Sequence, residues 1–346
     1  MFDSYLLERA CTKEPEQKRR RHNKTSSADI VLTRSTAVSS DKEAFLCNKQ
    51  NEQQILNMLD KFLSNAGIEV RHAGDEGDAD VIIVKTALEM VTAHDNVQVV
   101  CDDTDVLILL LYHHNTDVGN IFLLRKRLHI NINAGKYSIG TMCDYLPFVH
   151  AVSGCDTTSA LFGIGKVKHL KNLQSSGQLR SSIDVFGEEL ASKEHITAAG
   201  EIYISSLYKG GKTNKCLDAL RLLIAVSPKY VSPQRMPPTS SACYYHSIRV
   251  HLQVNSWKKL QTVLDSCEYG FYKDGNTLST VITNKDPAPG ELLKDFHCAC
   301  KRQEKPCISC SCSKMRISCS LYCKCQGDRE NGKHVQIHEV DEDEDD

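Results

Sequence analysis

The chain has 346 residues, of which 41% are hydrophobic, and its formal net charge at pH 7 is −2. This length and composition predict one large globular domain or two ordinary ones with a real core, which excludes a wholly disordered or fibrous chain. Six of the 44 acidic residues lie at 341–346, so the rest of the chain carries 42 basic against 38 acidic residues. That balance mildly favours a polyanionic partner.

The start of the chain carries no secretory signal, since it is charged from its third residue, and no apolar run approaches the length of a membrane span. We therefore expect an intracellular protein with no membrane partner. Sixteen cysteines in a reducing compartment argue against a disulfide framework. Eight of them are scattered from Cys11 to Cys267, and the other eight lie between Cys298 and Cys325.

Helix and strand patterns alternate over the first part of the chain. Residues 13–50 are polar and basic and predict a mobile or partly helical segment. The apolar spacing of 51–67 predicts a helix capped by Gly67, with a short strand at 68–70. A second helix is predicted over 78–90, with acidic residues in its first turn.

Two strands, at 97–101 and 120–124, complete the alternation, which predicts an α/β fold with a mainly parallel twisted sheet flanked by helices. A helix is predicted at 139–153, and 186–285 is predicted to be a helical region. In such folds ligands bind beyond the carboxyl ends of the strands. Asp102, Asp103 and Asp105 come directly after the first of these strands, so we expect a site there.

Carboxylates recur in closely spaced pairs beside the predicted element ends, in GDAD (77–80) and DDTD (102–105), with single aspartates in MFD (1–3) and SGCD (153–156). An isolated D-x-D pair is most often a solvated turn or a helix cap. Several such groups in order instead suit a hard divalent cation, because Mg²⁺ takes oxygen ligands and needs only a few carboxylates. Two ions about 4 Å apart can promote phosphodiester hydrolysis.

These motifs, in their order, resemble those of the flap endonuclease and XPG-like nucleases, which have a PIN-like fold. The matching segments are Phe2-Asp3-Ser4, Asp78-Ala79-Asp80, Asp102-Asp103-Thr104-Asp105, and Gly154-Cys155-Asp156 followed by Gly163-Ile164-Gly165. The resemblance covers residues 1 to about 185. It implies that the ligands of Mg²⁺ or Mn²⁺ are Asp3, Asp78, Asp80, Asp103, Asp105 and Asp156, with Asp102 outside the ligand set.

The same resemblance implies a DNA-binding surface. In the family a Gly-Ile-Gly hairpin between two helices holds a DNA phosphate on its backbone amides, and a basic arch follows the first motif. The residues implied here are Gly163, Ile164, Gly165, Lys166 and Lys168, with His169 and Lys171 beyond them, and the arch residues Lys18, Arg19, Arg20 and Arg21. The family's first strand carries a further ligand aspartate and has no counterpart before Phe2. Two alternatives follow, an incomplete N-terminus or a site one ligand short.

The cysteines of the tail have metal-ligand spacing. They are Cys298, Cys300, Cys307, Cys310, Cys312, Cys319, Cys323 and Cys325. A segment with so little apolar content needs Zn²⁺ to supply its folding energy. The pattern resembles the CXC domain of tesmin/TSO1-like proteins, which binds zinc and DNA. Asp328 occupies the place of that family's ninth cysteine, so the zinc count stays open, with Asp328 or His297 available to complete a third site.

Some other residues have both a functional and a structural interpretation. Tyr244, Tyr245, His246 and Trp257 have the chemistry to stack on bases, but their helical spacing favours a core position. His113 and His114 follow the apolar run 106–111, for which we predict a strand-end surface instead of a metal site. The acidic tail is predicted to be solvated.

The organisation predicted for the chain follows from these features. It comprises a PIN-like core over 1–153 that includes an arch-like or mobile segment at 13–50, a helix-hairpin-helix element over 154–185, a helical region over 186–285, a linker at 286–297, a zinc domain over 298–328 and an acidic tail over 329–346. The function predicted is a nuclear, divalent-metal-dependent nuclease that acts on branched or flapped DNA. The alternative is a catalytically inactive DNA-binding or chromatin-associated protein of the same fold, with a mobile-element origin as a further variant of either.

Overall fold

The structure is a computed structural model that describes most of the chain between residues 26 and 283. The gaps in that range are 34, 38–40, 73–77, 209–215, 226–231, 262–263 and 276, and the positions described outside it are 12, 13, 15, 16, 19, 285, 299 and 324. The chain divides into two compact units. The larger comprises Met1–Lys212 and Ala242–Thr283, and the smaller comprises Thr213–Ser241 and Asn284–Asp346.

The described elements include both helices and strands up to residue 139 and are mostly helical after it. The helices are α1 (Lys42–Cys47), α2 (Lys49–Asn65), α3 (Ala79–Ala93), α4 (Thr104–His113), α5 (Ile132–Ile139), α6 (Leu146–Ser153), α7 (Lys166–Gln174), α8 (Gly177–Ile183), α9 (Lys193–Ser206), α10 (Leu217–Ala225) and α11 (Ser240–Lys259). The strands are β1 (Asn96–Val100), β2 (Asn120–Arg125), β3 (Leu128–Asn131), β4 (Phe271–Asp274) and β5 (Thr277–Thr280). Short 3₁₀ turns lie at Gly140–Tyr145, Asp184–Gly187, Pro233–Arg235 and Ser266–Glu268.

The main sheet has three strands in the order β1-β2-β3, and it is mixed. β1 and β2 are parallel, with Val99 opposite Leu123, as expected for two strands joined through a helix. β3 runs antiparallel to β2 because a tight turn at Lys126 and Arg127 returns the chain. The prediction of an α/β chain is confirmed. Within the described residues, however, the sheet has one parallel and one antiparallel pair, so it is not mainly parallel.

The apolar run 106–111 is part of helix α4 and not a strand. Asp103 caps this helix, and Val106, Leu109 and Leu110 are completely buried. Such a run is ambiguous in sequence, because a buried helix and a buried strand are both continuously apolar. His113 and His114 therefore stand at the end of a helix, and His114 is buried, so the predicted strand-end surface is wrong.

Three further predictions are corrected. Residues 68–70 form no strand. The predicted helix 139–153 is a 3₁₀ turn followed by α6, which starts at Leu146 with proline in its first turn. The helical region 186–285 also contains the β4–β5 hairpin, which is antiparallel and turns at Gly275.

The polar segment before α2 contains ordered backbone. Residues 26–33 have no regular structure and lie against α2. Side chains of α2 accept hydrogen bonds from the backbone of this segment, as a neighbouring strand would. The Ile30 amide donates to Asn51 Oδ1 at 2.9 Å, and the Leu32 amide donates to Gln54 Oε1 at 2.9 Å. Asn51 is completely buried, so this segment is held by paired polar groups.

Helix α11 is buried along most of its length although it is rich in polar residues. Trp257 and His246 are buried, which confirms the core interpretation for both, whereas Tyr244 and Tyr245 are half-buried. The Arg249 guanidinium donates to the carbonyls of Gly270 and Val281, both at 3.2 Å, and burial lowers its pKa to about 10. A buried polar group is tolerated because it has such partners.

Helix α9 approaches α11 most closely at Gly200. A Cβ at this position would overlap Oγ of Ser247 and lie 2.9 Å from its Cβ. We expect Gly200→Ala to lower the free energy of unfolding by about 1–3 kcal/mol, because two packed helices cannot both move aside. Urea denaturation measures this, with Gly177→Ala as the control, since the nearest atom to a Cβ there is 3.5 Å away. Equal stability of Gly200→Ala and the wild type would contradict this packing.

The smaller unit is described mainly by α10 and the turn that follows it. Arg221 donates to the Pro237 carbonyl at 2.6 Å, and the Ser240 amide donates to Asp218 Oδ1 at 3.0 Å. The eight tail cysteines, Asp3, Lys18, Arg20 and Arg21 lie outside the described residues. In the part of the chain that the structure covers, no helix is both long and apolar enough to cross a membrane.

Candidate metal centre

Two D-x-D pairs stand at the amino ends of two helices that pack against each other, α3 and α4. Asp78 caps α3 and accepts the Asp80 amide at 3.1 Å, while Asp103 caps α4 and accepts the Asp105 amide at 2.9 Å. In each pair the first aspartate satisfies a free helix amide and the second lies in the first turn, where the helix dipole favours a negative charge. The same N-capping arrangement therefore forms both halves of the site.

The two pairs are electrostatically coupled. Burial, with the charges of Asp78 and Asp103, raises the pKa of Asp80 to about 7 against the opposing effect of Lys13. Burial also raises the pKa of the Cys101 thiol, to which the charges of Asp80, Asp103 and Asp102 add. Because such effects require proximity, four of the six predicted carboxylates come together. They are Asp78, Asp80, Asp103 and Asp105.

Lys13 is the cation at the centre of this cluster. Its ammonium group donates to Asp78 Oδ1 at 2.9 Å and to Asp80 Oδ2 at 2.8 Å, and its side chain is 13% exposed. Burial lowers the pKa of Lys13, but the charges of Asp78 and Asp80 outweigh burial and raise the pKa overall. The sequence analysis did not identify Lys13, which is 65 residues away from its first partner.

Asp105 has a different partner, a buried histidine of α6. His150 Nε2 lies 2.6 Å from Asp105 Oδ1, and both side chains are buried. Burial opposes ionisation of Asp105, but the hydrogen bond from His150, with the charges of Lys13 and Lys166, lowers its pKa overall. Asp105 is therefore held ionised in an apolar setting.

Asp102 and Arg125 hold the loop between β1 and α4. The Lys126 amide donates to Asp102 Oδ1 at 2.5 Å, and Arg125 donates to the Asp102 carbonyl at 3.0 Å and to Thr104 Oγ1 at 2.7 Å. The Asp102 carboxylate thus serves the β2–β3 turn. The adjacent carboxyl ends of two parallel strands bring these groups together.

Asp156 lies in the turn after α6 and is half-buried. Gly154, with φ of +108°, ends the helix, and a bridge between Cys155 and Thr158 closes the turn. Burial raises the pKa of the Cys155 thiol, and the charge of Asp105 adds to this effect, which places the turn near Asp105.

The Gly-Ile-Gly hairpin presents accessible backbone between α6 and α7. Gly163 has φ of +71°, which favours glycine, and a Cβ at Gly163 or Gly165 would meet nothing within 4 Å. Ile164 is buried and anchors the turn, while Lys166 and Lys168 are exposed. Lys166 Nζ also donates to the Gly154 carbonyl at 3.2 Å. His169 does not extend this surface, because it is buried against the Tyr203 hydroxyl at 3.1 Å.

The donor chemistry of the cluster suits a hard divalent cation, because its four carboxylates offer only oxygen atoms. In the present arrangement Lys13 takes the place of a cation between Asp78 and Asp80. Within the residues that the structure covers, no three His, Cys, Asp or Glu side chains are arranged to hold a metal ion directly.

Comparison with known proteins adds no relative to this description: no family model, no curated protein and no solved structure matches the chain.

Proposed function

We propose that the chain is a divalent-metal-dependent nuclease that hydrolyses phosphodiester bonds in branched or flapped DNA. The observation that carries the proposal is the meeting of two D-x-D helix ends beside one partly buried cation, the Lys13 ammonium, which pairs with Asp78 and Asp80. A cluster of this charge is costly to bury, and a fold retains such a cost most readily where the charges serve a function.

The residues of the chain have distinct parts in this proposal. Asp78, Asp80, Asp103 and Asp105 would hold Mg²⁺ or Mn²⁺, which supplies an activated water and stabilises the leaving oxygen. Lys13 leaves the carboxylates when the metal binds, and its released charge is then available to a phosphate. His150 keeps Asp105 ionised, since its hydrogen bond opposes the effect of burial.

DNA binding is proposed for two further parts of the chain. The exposed glycine backbone at 163–165, with Lys166 and Lys168, suits contacts to a phosphate, which position a duplex without reading its sequence. The cysteine tail is proposed to bind Zn²⁺ and to add a salt-dependent contribution through Lys314, Arg316 and Lys324. Nuclear localisation belongs to the same proposal, because the substrate is DNA.

The test is cleavage of labelled flap and duplex DNA by the full chain with Mg²⁺, Mn²⁺ or EDTA. We expect metal-dependent cleavage by the wild type and a loss of at least about 1000-fold in Asp103→Asn/Asp105→Asn, because both carboxylate charges at the end of α4 are removed. Asp60→Asn/Asp274→Asn, which removes two charges outside the cluster, is the matched control and should retain activity. Equal cleavage by the wild type and the Asp103/Asp105 variant would contradict the proposal.

A second function, DNA binding without catalysis, is favoured by one specific observation. Lys13 already pairs with both aspartates of α3, so the cluster is partly neutral without metal. In that case the fold is a scaffold, and Lys13 is a permanent replacement for the cation. The same assay separates the two functions, because the scaffold protein would bind DNA in EDTA and leave it intact in Mg²⁺ and Mn²⁺.

A further inference from the structure

His150 is the buried group closest to the proposed reaction that the nuclease motifs do not include. It lies in the middle of α6, in a stretch where every residue from Leu146 to Ser153 is buried. A histidine in such a position needs a partner, because an unpaired buried polar group is costly. Its partner is Asp105 Oδ1 at 2.6 Å.

The orientation of the imidazole is determined from two sides. The ring stacks on Trp257 of α11, with the ring centroids 5.5 Å apart and the planes inclined by 28°. Trp257 is itself 1% exposed, and its carbonyl lies 2.8 Å from His113 Nε2 at the end of α4. Helix α4, which carries Asp105 and His113, is thus bonded to helix α11, which carries Trp257. The His150 ring therefore has little freedom to turn.

The hydrogen bonding of His150 is one-sided. Nε2 faces the carboxylate, whereas Nδ1 is buried and has no hydrogen-bond partner within the described part of the chain. A neutral ring with its hydrogen on Nε2 satisfies this geometry, because Nε2 then donates to Asp105 and the unpaired Nδ1 carries no hydrogen. The second carboxylate oxygen of Asp105 is left for another partner.

We propose that His150 is a positioning residue, which holds the Asp105 carboxylate through one oxygen so that the other is presented to the metal. The inference rests on the proposed nuclease function. Groups that hydrogen-bond a metal-ligating carboxylate fix its orientation, and their loss typically costs about 10–100-fold in metal affinity or activity. His150, supported by Trp257, acts on the reaction only through Asp105.

Two variants of similar size separate the hydrogen bond from packing. His150→Leu fills the space without a donor, and His150→Gln returns an N–H to the region of Nε2. We expect kcat and Mn²⁺ affinity to fall about 10–100-fold in His150→Leu and to recover largely in His150→Gln, with the Kd for DNA in EDTA unchanged. His251→Leu is the control, because His251 is equally buried and stacks on Tyr269 instead of bonding a carboxylate.

A second measurement keeps the inference separate from the nuclease proposal. Nitrogen-15 spectra of the full chain at pH 7 should show the His150 hydrogen on Nε2, with a signal that shifts in Asp105→Asn. A hydrogen on Nδ1, or a signal indifferent to Asp105→Asn, would overturn the inference whatever the activity. Wild-type cleavage with unchanged kcat and Mn²⁺ affinity in folded His150→Leu would overturn it too. A wild type that shows this signal but neither cleaves DNA nor binds Mn²⁺ would instead overturn the nuclease proposal, and with it the role of His150 in the reaction.

Discussion

Replacing Lys13 with methionine is expected to lower the free energy of unfolding at pH 7 by about 3 kcal/mol in the absence of metal. The variant keeps most of the apolar stem but removes the ammonium group that pairs with Asp78 and Asp80. Loss of one partner from a buried ion pair leaves charge without compensation, which is among the most destabilising changes known. Denaturant unfolding in EDTA measures the effect, and Lys61→Met, which alters an exposed lysine of α2, is the control.

The same variant distinguishes the two proposed functions. If the carboxylates bind metal, Mn²⁺ should stabilise Lys13→Met by about 2.7 kcal/mol at a concentration of 100 times its Kd. The wild type should be stabilised less at the same concentration, because its lysine has to be displaced. The gain should vanish in Lys13→Met/Asp80→Asn. Stabilisation by Lys13→Met in EDTA would contradict the ion pairs, and a folded Lys13→Met variant indifferent to Mn²⁺ would favour the non-catalytic scaffold.

Acidification from pH 6 to pH 5 is expected to reduce the free energy of unfolding by about 2 kcal/mol. Burial lowers the pKa of three histidines to about 4, from 6.5 in the unfolded chain, and the three are His169, His246 and His251. Each therefore contributes stability that is present above pH 6.5 and is lost as the pH falls towards 4. One such proton changes the stability by about 1.4 kcal/mol per pH unit.

Asp80 acts in the opposite direction over the same range. Burial raises the pKa of Asp80 to about 7, so the native state holds a proton that the unfolded chain, with a pKa near 3.8, has released. The stability that Asp80 adds is therefore present at low pH and is lost as the pH rises through 7. The net excess in the unfolded state is about one and a half protons, which gives the expected slope.

Urea denaturation at pH 6.0, 5.5 and 5.0 measures this slope. His246→Gln removes one of the three histidines while retaining a donor for the Val152 carbonyl, and it should reduce the slope by about half. Asp80→Asn should make the slope steeper, since the opposing proton is removed. A free energy of unfolding that stays constant between pH 6 and pH 5 would contradict the burial of these neutral histidines.

Local rules predicted most of the elements around the site. The D-x-D pairs were placed at element ends, and both turned out to be helix caps, because a side-chain oxygen two residues before an amide satisfies it without help from the rest of the fold. The helices over 51–67 and 78–90 and the strands at 97–101 and 120–124 were found within three residues of their predicted ends. The β4–β5 hairpin was missed although Asp274-Gly275 is a recognisable turn signal.

The errors arose where periodicity is ambiguous. The run 106–111 is apolar at every position, so it fits a buried strand as well as the buried helix that it forms. The mainly parallel sheet was inferred from alternation, which does not reveal that β3 turns back beside β2. No pattern in a single sequence indicates which strand lies at the edge.

The sequence by itself determined the acidic character of the site, because the spacing and capping chemistry of the two D-x-D pairs are local properties. The tertiary structure alone decided which cation meets which carboxylate: Lys13 with Asp78 and Asp80, and His150 with Asp105. The physical reason is chain separation, since these partners are 45 to 67 residues apart and meet only when α3, α4 and α6 have packed. Which distant side chains pair is decided by the buried contacts between these helices. Neither D-x-D motif carries information about those contacts.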